Sequence, residues 1–235
     1  LDSLIAIIKI GQEEDGYLTT WKTIDHEHPP APWVKPGGRW KDLGASHELY
    51  NSGHLFEAAS AHYYATGKRD FLDIALKNAD LLVETFGPGK LETVPGHQII
   101  ETGLIKLYRI THKKEYLELA KFFLDERGYS NGRELFGPYS QDHKPVVLQD
   151  EVVGHAVRAV YMYAGMTDIA ALYEDTAYLR AVNSLWENMV NKKMYLTGGI
   201  GARHEGESFG ENYELPNLTS YNETCAAIGS IYWNQ

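Results

Sequence analysis

The sequence predicts an all-α fold in which the helices are arranged in pairs. Apolar residues recur at helical spacing in seven segments, and the stretches between them show no convincing run with the alternation of a β-strand. A repeat supports the pairing, because Ala65–Ala79 resembles Ile110–Leu124, which lies 45 residues later. Helix pairs with such a period bury their apolar faces on their neighbours, which indicates a solenoid or a closed α/α toroid.

The helices are predicted in chain order from their apolar stripes. The first two stripes, Leu55–Tyr63 and Phe71–Leu82, are joined by the short turn TGKRD. The remaining predicted helices cover Ile99–Tyr108, Tyr116–Leu124, Val152–Tyr163, Tyr178–Met189 and Glu223–Trp233. A weaker third copy of the repeat covers Ala164–Val182, where we expect an expanded connection before the TAYLRAV segment.

The connections between the predicted helices are of two kinds. Short turns such as TGKRD alternate with long loops rich in Gly, Pro and aromatic residues: HEHPPAPWVKPGGRW, FGPGKLETVPGH and SNGRELFGPYSQDHKP. Loops of this length on a helical frame are commonly functional. We therefore expect the long loops to gather at one end of the frame and to form a binding site there.

Composition excludes several classes of partner. The chain has 235 residues, of which 43% are hydrophobic, and a net charge of -10. Such a charge repels nucleic acid and anionic lipid surfaces. No run of 18 apolar residues predicts a membrane span, no signal peptide is evident, and the single Cys225 excludes an internal disulfide. Because the first residue is not Met and the last ones read as a helix interior, we expect the natural chain to be longer.

Histidines stand at the predicted junctions between loops and helices. These are His47, His54, His97 and His155. A neutral imidazole at a helix start can hydrogen-bond a sugar hydroxyl, and aromatic residues, which form 12% of the chain, can stack on sugar faces. The alternative interpretation is that each histidine caps its helix and that the Tyr and Trp rings pack helices together.

Acidic residues and the cysteine provide further candidates. Glu207 lies in a glycine-rich loop, where it is a candidate acid/base for glycoside hydrolysis, although an exposed loop carboxylate is the alternative. Glu223 and Cys225 are separated by one residue, which is a weak metal signal because zinc takes about four ligands. A buried core cysteine is the simpler interpretation of Cys225.

A series of motifs resembles the β-L-arabinofuranosidases of glycoside hydrolase family 127 over nearly the whole chain. In the order of that family, the motifs are DGYL, HELYNSGHLFEAA, GKRDFLDIA, PGHQIIETGLIKLYR, QDEVVGHAVRAVYMYAGM, TGGIGARHEGESFG and YELPNLTSYNETCAA. The resemblance implies an (α/α)6 barrel followed by β-sandwich domains. Residues 1–235 would form an incomplete part of one barrel domain, without its C-terminal part and without the sandwiches.

The resemblance also implies roles for particular residues. Glu207 would be the general acid/base, Glu223 and Cys225 would be zinc ligands, and the sugar would contact Gln12, His47, His97 and His155. The family's nucleophile is a zinc-bound cysteine from a Cys-Cys pair further along the chain, which forms a thioglycosyl intermediate. No such pair is present here. The implied reaction is retaining release of β-L-arabinofuranose or a related sugar from plant glycans, which these residues alone would not perform.

Two other interpretations stay open at this point. One is a different sugar enzyme on a toroid, either an epimerase with histidine bases or an unsaturated uronyl hydrolase, which would not need zinc. The other is a catalytically silent glycan-binding protein, which the missing Cys pair permits. The sequence does not decide the exact sugar, the oligomeric state, or whether the protein acts in the periplasm, outside the cell or in the cytoplasm.

Overall fold

The computed structural model describes residues 1–235 and contains helices and loops but no β-strand. The prediction of an all-α fold is therefore confirmed. The helices are α1 Asp2–Gly11, α2 Thr20–Asp25, α3 Glu48–Thr66, α4 Asp70–Thr85, α5 Ile100–Thr111, α6 Lys114–Asp125, α7 Ala156–Tyr173, α8 Thr176–Lys192 and α9 Thr224–Asn234. The chain divides into two compact units, Leu1–Phe122 and Phe123–Gln235. No helix is both long enough and apolar enough to cross a membrane.

In the first unit, α3 packs against both α4 and α5. Two glycines allow α3 and α5 to approach closely. A Cβ atom at Gly53 would lie 2.7 Å from the backbone nitrogen of Ile100, and one at Gly103 would lie 2.8 Å from the carbonyl oxygen of Gly53. Real Cβ atoms do not come so close, so only glycine permits this approach of the two backbones.

In the second unit, α7 packs against both α8 and α9. Helix α7 is buried on nearly all sides over Ala156–Met166, as expected of a helix surrounded by others. A Cβ atom at Gly229 of α9 would lie 2.5 Å from a methyl group of Val160 on α7. In each unit, therefore, one helix packs against the next helix in the chain and also against the one after that, as an α/α toroid requires.

The sequence repeat encodes one particular kind of turn. Gly67 after α3 and His112 after α5 both have left-handed backbone conformations, with φ of 70° and 59°, and their N–H groups donate to Tyr63 and Tyr108. The threonine before each of these residues makes the same contact in both turns. The Thr66 hydroxyl donates to the carbonyl of His62 at 2.7 Å, and the Thr111 hydroxyl donates to the carbonyl of Leu107 at 2.8 Å. The predicted repeat of a helix–turn–helix unit is confirmed.

The prediction of an expanded connection in the third copy is wrong. Helix α7 continues to Tyr173, and only Glu174 and Asp175 separate it from α8. Glu174 is left-handed with φ 53°, and the Asp175 side chain accepts from the N–H groups of Ala177 and Tyr178. Strong capping at both ends closes the turn within two residues. The extra residues therefore lengthen α7.

One helix start and the number of helices also differ from the prediction. Helix α7 was expected to begin at Val152, but it begins at Ala156 because the His155 side chain caps it. Helices α1 and α2 were not predicted. Helix α1 is rich in apolar residues, but only Ile5 is buried, and Leu4, Ile7 and Ile10 are exposed.

A buried carboxylate joins two of the sequence motifs in the first unit. Glu48, which is 1% exposed, accepts hydrogen bonds from the Tyr17 hydroxyl at 2.6 Å, the Ser46 hydroxyl at 2.7 Å and the backbone N–H of Trp40 at 3.1 Å. The Lys22 ammonium lies 3.8 Å away. A buried charge with this many partners fixes the start of α3, and with it the position of the adjacent His47.

Candidate active site

Glu207 projects from a tight turn in the second unit. The backbones of Arg203 and Ser208 pair in both directions, at 3.0 and 3.1 Å, and enclose a short 3₁₀ turn over Glu205–Glu207. Gly206 and Glu207 both adopt left-handed conformations, with φ of 65° and 49°. This conformation is uncommon for a residue other than glycine, and such residues are concentrated at functional sites.

His155 contacts Glu207 and its tautomer follows from its other contact. The Nδ1 atom accepts a hydrogen bond from the backbone N–H of Arg158 at 3.3 Å, so the ring proton is on Nε2. Nε2 lies 2.9 Å from Oε2 of Glu207 and therefore donates to it. The turn is also attached to the same segment, because the N–H of Phe209 donates to the carbonyl of Gly154 at 2.9 Å.

Tyr221 contacts the other oxygen of Glu207. Its hydroxyl donates to Oε1 at 2.9 Å, and this hydrogen bond raises the pKa of Tyr221 to about 12. The phenol therefore stays protonated at neutral pH. The backbone N–H groups of Tyr221 and Asn222 donate to the carbonyls of Ala202 and Gly201, at 3.2 and 3.0 Å. Tyr221 is thus tied to the same glycine-rich loop that carries Glu207.

Glu223 and Cys225 lie at the start of α9. Glu223 is the N-cap residue of α9, and Cys225 lies in the first turn of that helix. The neighbouring Glu223 carboxylate is the main cause that raises the pKa of the Cys225 thiol. Cys225 is exposed, so the interpretation as a buried core cysteine is wrong.

The donors around Glu223 fit a metal ion. Oε2 of Glu223 is buried without a hydrogen-bond partner, and a thiol lies beside the same carboxylate. Carboxylate and thiolate are both zinc ligands, so Glu223 and Cys225 fit half of a four-ligand site. A second grouping overlaps this one, since ligand atoms of His155, Glu207 and Glu223 all lie within 4.8 Å of one another. That Glu223 and Cys225 bind zinc stays a prediction.

The first unit brings His47 and His97 together. Their ring centroids are 5.7 Å apart, and the Tyr50 ring lies 4.3 Å from His97 and 4.5 Å from His54. In both histidines Nδ1 faces a backbone carbonyl oxygen. Nδ1 of His47 lies 2.8 Å from the carbonyl oxygen of Ala45, and Nδ1 of His97 lies 2.9 Å from that of Gln98. Nδ1 therefore carries the proton and Nε2 is an acceptor.

Gln12 lies in the first unit with both amide hydrogens directed at backbone oxygens. Its Nε2 donates to the carbonyl of Gly16 at 3.0 Å and to that of Ile74 at 2.9 Å. Only its side-chain carbonyl would then contact a sugar. Two loop tryptophans differ in exposure, because Trp33 is 71% exposed whereas Trp40 packs edge-on against Tyr17 and Phe86. The predicted sugar contacts of all these residues stay predictions.

A polar network shapes the long loop before His155, and sequence reasoning did not find it. Asp142 is fully buried and accepts two hydrogen bonds from Arg133, at 2.6 and 2.8 Å. The loop places the Tyr139 ring 5.4 Å from the His155 ring, edge to face, and the Arg158 guanidinium lies 4.5 Å from the centroid of the same Tyr139 ring. His155 is therefore held by packing as well as by its hydrogen bonds.

Tyr221 was also missed. Sequence reasoning did not single it out among the 16 tyrosines, although Tyr221 stands two residues before Glu223 in a segment of polar residues. That position, between a glycine-rich loop and a helix start, was the available signal.

The sequence of the whole chain matches a family model described as the catalytic domain of GH127 β-L-arabinofuranosidases, over residues 1–235. The chain belongs to glycoside hydrolase family 127. The resemblance found from the motifs is therefore confirmed.

Relatives of this family cover the whole chain. A Bifidobacterium longum protein named non-reducing end β-L-arabinofuranosidase is 36% identical over 260 residues, which include 100% of this chain. The chain spans 38% of the length of that relative.

Solved structures of GH127 enzymes have the same fold. One, titled a GH127 β-arabinofuranosidase, is 56% identical with a TM-score of 0.92, covering 99% of this chain and 36% of the other. A second structure, of a GH127 β-L-arabinofuranosidase from Geobacillus stearothermophilus T6, is 42% identical with a TM-score of 0.89. The match covers 99% of this chain and 38% of the other. These similarities support the prediction of an α/α toroid, of which this chain forms an incomplete part.

Proposed function

We propose that the protein containing this chain is a retaining glycoside hydrolase that releases β-L-arabinofuranose or a related sugar from plant glycans. The observation that carries the proposal is the placement of Glu207, whose two carboxylate oxygens accept from His155 and Tyr221 beside Glu223. The family membership and the names of the relatives support the substrate class.

Glu207 acts first as an acid and then as a base. As an acid it transfers a proton to the glycosidic oxygen while a cysteine thiolate from beyond these residues would bond to the anomeric carbon on the opposite side, so the leaving sugar departs as an alcohol. As a base it takes a proton from water, which displaces that thiolate from the side that the leaving sugar occupied, so the two displacements retain the configuration. Each carboxylate oxygen has further lone-pair directions beyond the one that His155 or Tyr221 occupies, so proton transfer does not require either contact to break.

The histidines of the first unit bind sugar hydroxyls in this proposal. Because Nδ1 of His47 and of His97 is protonated, Nε2 of each accepts a hydrogen bond from a hydroxyl group. A neutral imidazole recognises the uncharged sugar without an added charge in the site. Gln12 contributes through its carbonyl oxygen.

Glu223 and Cys225 hold zinc in this proposal, together with ligands from the part of the protein beyond these residues. When bound, zinc supplies a deprotonated thiolate at neutral pH, which is the form of cysteine that acts as a nucleophile. Glu223 presents its buried Oε2 and Cys225 its exposed thiol. The raised pKa keeps the Cys225 thiol protonated in the absence of a metal, so coordination of its thiolate to zinc would release one proton.

The test compares Glu207→Gln with Glu205→Gln in a protein of full family length. Glu205 is exposed and lies in the same 3₁₀ turn, so it controls for changes in the turn. We expect Glu207→Gln to reduce turnover of a β-L-arabinofuranoside by about 100-fold or more, and Glu205→Gln to leave it within about twofold. Nuclear magnetic resonance of the first-formed product should show the β anomer. Unchanged turnover in Glu207→Gln, or an inverted product, contradicts the proposal.

A further inference from the structure

We propose that Tyr221 is a positioning residue for the acid step, because its hydroxyl fixes the orientation of the Glu207 carboxyl group toward the leaving group. This inference rests on the proposed function. It deepens that function by adding a residue that does not itself react with the sugar.

The first argument is that the backbone alone does not fix the carboxyl group. Glu207 ends a three-residue 3₁₀ turn in which Gly206 is also left-handed, and its side chain is 42% exposed. A glutamate has three side-chain torsions, so an exposed one samples several orientations. Something other than the turn must select one of them.

The second argument is that the two side-chain donors act on different oxygens. His155 donates to Oε2 and Tyr221 donates to Oε1, each at 2.9 Å. One donor leaves the carboxyl plane free to rotate about that contact, whereas two donors on different oxygens fix the plane. Tyr221 therefore supplies a constraint that His155 cannot supply alone.

The third argument is that the Tyr221 phenol is itself fixed. Its backbone N–H donates to Ala202 in the loop that leads to Glu207, and the His204 ring packs edge-on against its ring with centroids 5.3 Å apart. The hydroxyl and the carboxylate are thus carried by neighbouring segments of one loop system. A movement of the loop moves donor and acceptor together, which preserves their distance.

The experiment is Tyr221→Phe in a protein of full family length, assayed on two substrates. One is p-nitrophenyl β-L-arabinofuranoside, whose leaving group departs without protonation, and the other is a β-L-arabinofuranosyl disaccharide, whose leaving group needs the acid. We expect kcat/KM on the disaccharide, which reports the acid step, to fall about 10-fold or more, and kcat/KM on the nitrophenyl substrate to change little. The later base step is common to both substrates and affects kcat alone.

The control is Tyr178→Phe, which removes a hydrogen bond of the same kind far along the chain, from the Tyr178 hydroxyl to Asp125 at 2.7 Å. Any change in turnover that Tyr178→Phe causes should be the same on both substrates. Equal losses of kcat/KM on both substrates in Tyr221→Phe, or no loss on either, overturn the positioning role. If Glu207→Gln is fully active, the proposed function fails; if Glu207→Gln is inactive while Tyr221→Phe is normal on both substrates, only this inference fails.

Discussion

The Nε2 atom of His155 lies 2.9 Å from Oε2 of Glu207, although 52 residues separate the two in the chain. The same imidazole accepts the Arg158 N–H through Nδ1 and so caps α7. One ring therefore supports both the helix and the candidate acid/base, and substitutions can separate these two roles.

His155→Ala should lower both stability and activity, whereas His155→Asn should lower activity alone. Alanine removes the cap of α7, which costs about 1 kcal/mol, while asparagine is among the best N-cap residues and restores the acceptor. Neither side chain reaches Glu207 as the imidazole does, so both variants should lose roughly 10- to 100-fold in turnover. Urea unfolding and steady-state kinetics measure the two effects. Equal stability of the two variants would show that the cap contributes nothing.

Zinc content should distinguish the two overlapping sets of ligands. If Glu223 and Cys225 hold the ion, Cys225→Ser and Glu223→Gln should each reduce zinc well below about one ion per protein, because a site of about four ligands tolerates the loss of one poorly. His155→Asn should then leave the zinc content unchanged. Elemental analysis after dialysis measures this. Zinc lost in His155→Asn but kept in Cys225→Ser would assign the ion to His155, Glu207 and Glu223, and would remove Glu207 from its acid role.

Asp142 should make folding stability depend on pH. Burial alone would raise the pKa of Asp142, but the hydrogen bonds from Arg133, the charge of Arg127 and the N–H groups of Gly128 and Phe136 lower it below the ordinary value of 3.8. The stabilisation is therefore fully present above the ordinary pKa and is lost as the pH falls through the lower native pKa. We expect the free energy of unfolding to decrease below about pH 4.

Asp142→Asn should destabilise the protein at pH 7 by about 3–5 kcal/mol, because it leaves the charge of Arg133 without its carboxylate partner. It should also weaken the decrease at acid pH. The control is Asp150→Asn, which removes an exposed partner of Lys144 and should cost no more than about 0.5 kcal/mol. Urea unfolding from pH 3 to pH 7 gives both quantities. Similar effects of the two substitutions would mean that the Arg133 contact adds no stability.

Gly53→Ala should destabilise the first unit. The new Cβ atom would meet the backbone of Ile99 and Ile100 at 2.7 to 2.8 Å, so α3 and α5 would have to move apart, at a cost of about 1–3 kcal/mol. Gly38→Ala is the control, since no atom lies within 4 Å of the corresponding position. Thermal unfolding of both variants is the measurement. A Gly53→Ala protein as stable as Gly38→Ala would contradict the close approach of the two helices.

The sequence alone determined the helical class, the repeat and its turns, because these depend on residues close together in the chain. The spacing of apolar residues marks a buried helix face, and Thr66 and Gly67, like Thr111 and His112, close their turns through contacts within four residues. The same local reasoning failed for α1, which has almost no buried face, and for the α7–α8 turn, where caps rather than apolar spacing set the ends.

Only the tertiary structure decided which candidates meet. His47 and His97 come together through packing of α3 on α5, and Glu207 lies between His155 and Tyr221 because the loop before α7 and the segment before α9 both pair with the glycine-rich loop. Hydrogen bonds across 14 and 52 residues leave no periodic trace in a sequence. The residue types therefore indicated the chemistry, and the folding of distant segments onto one another determined the geometry.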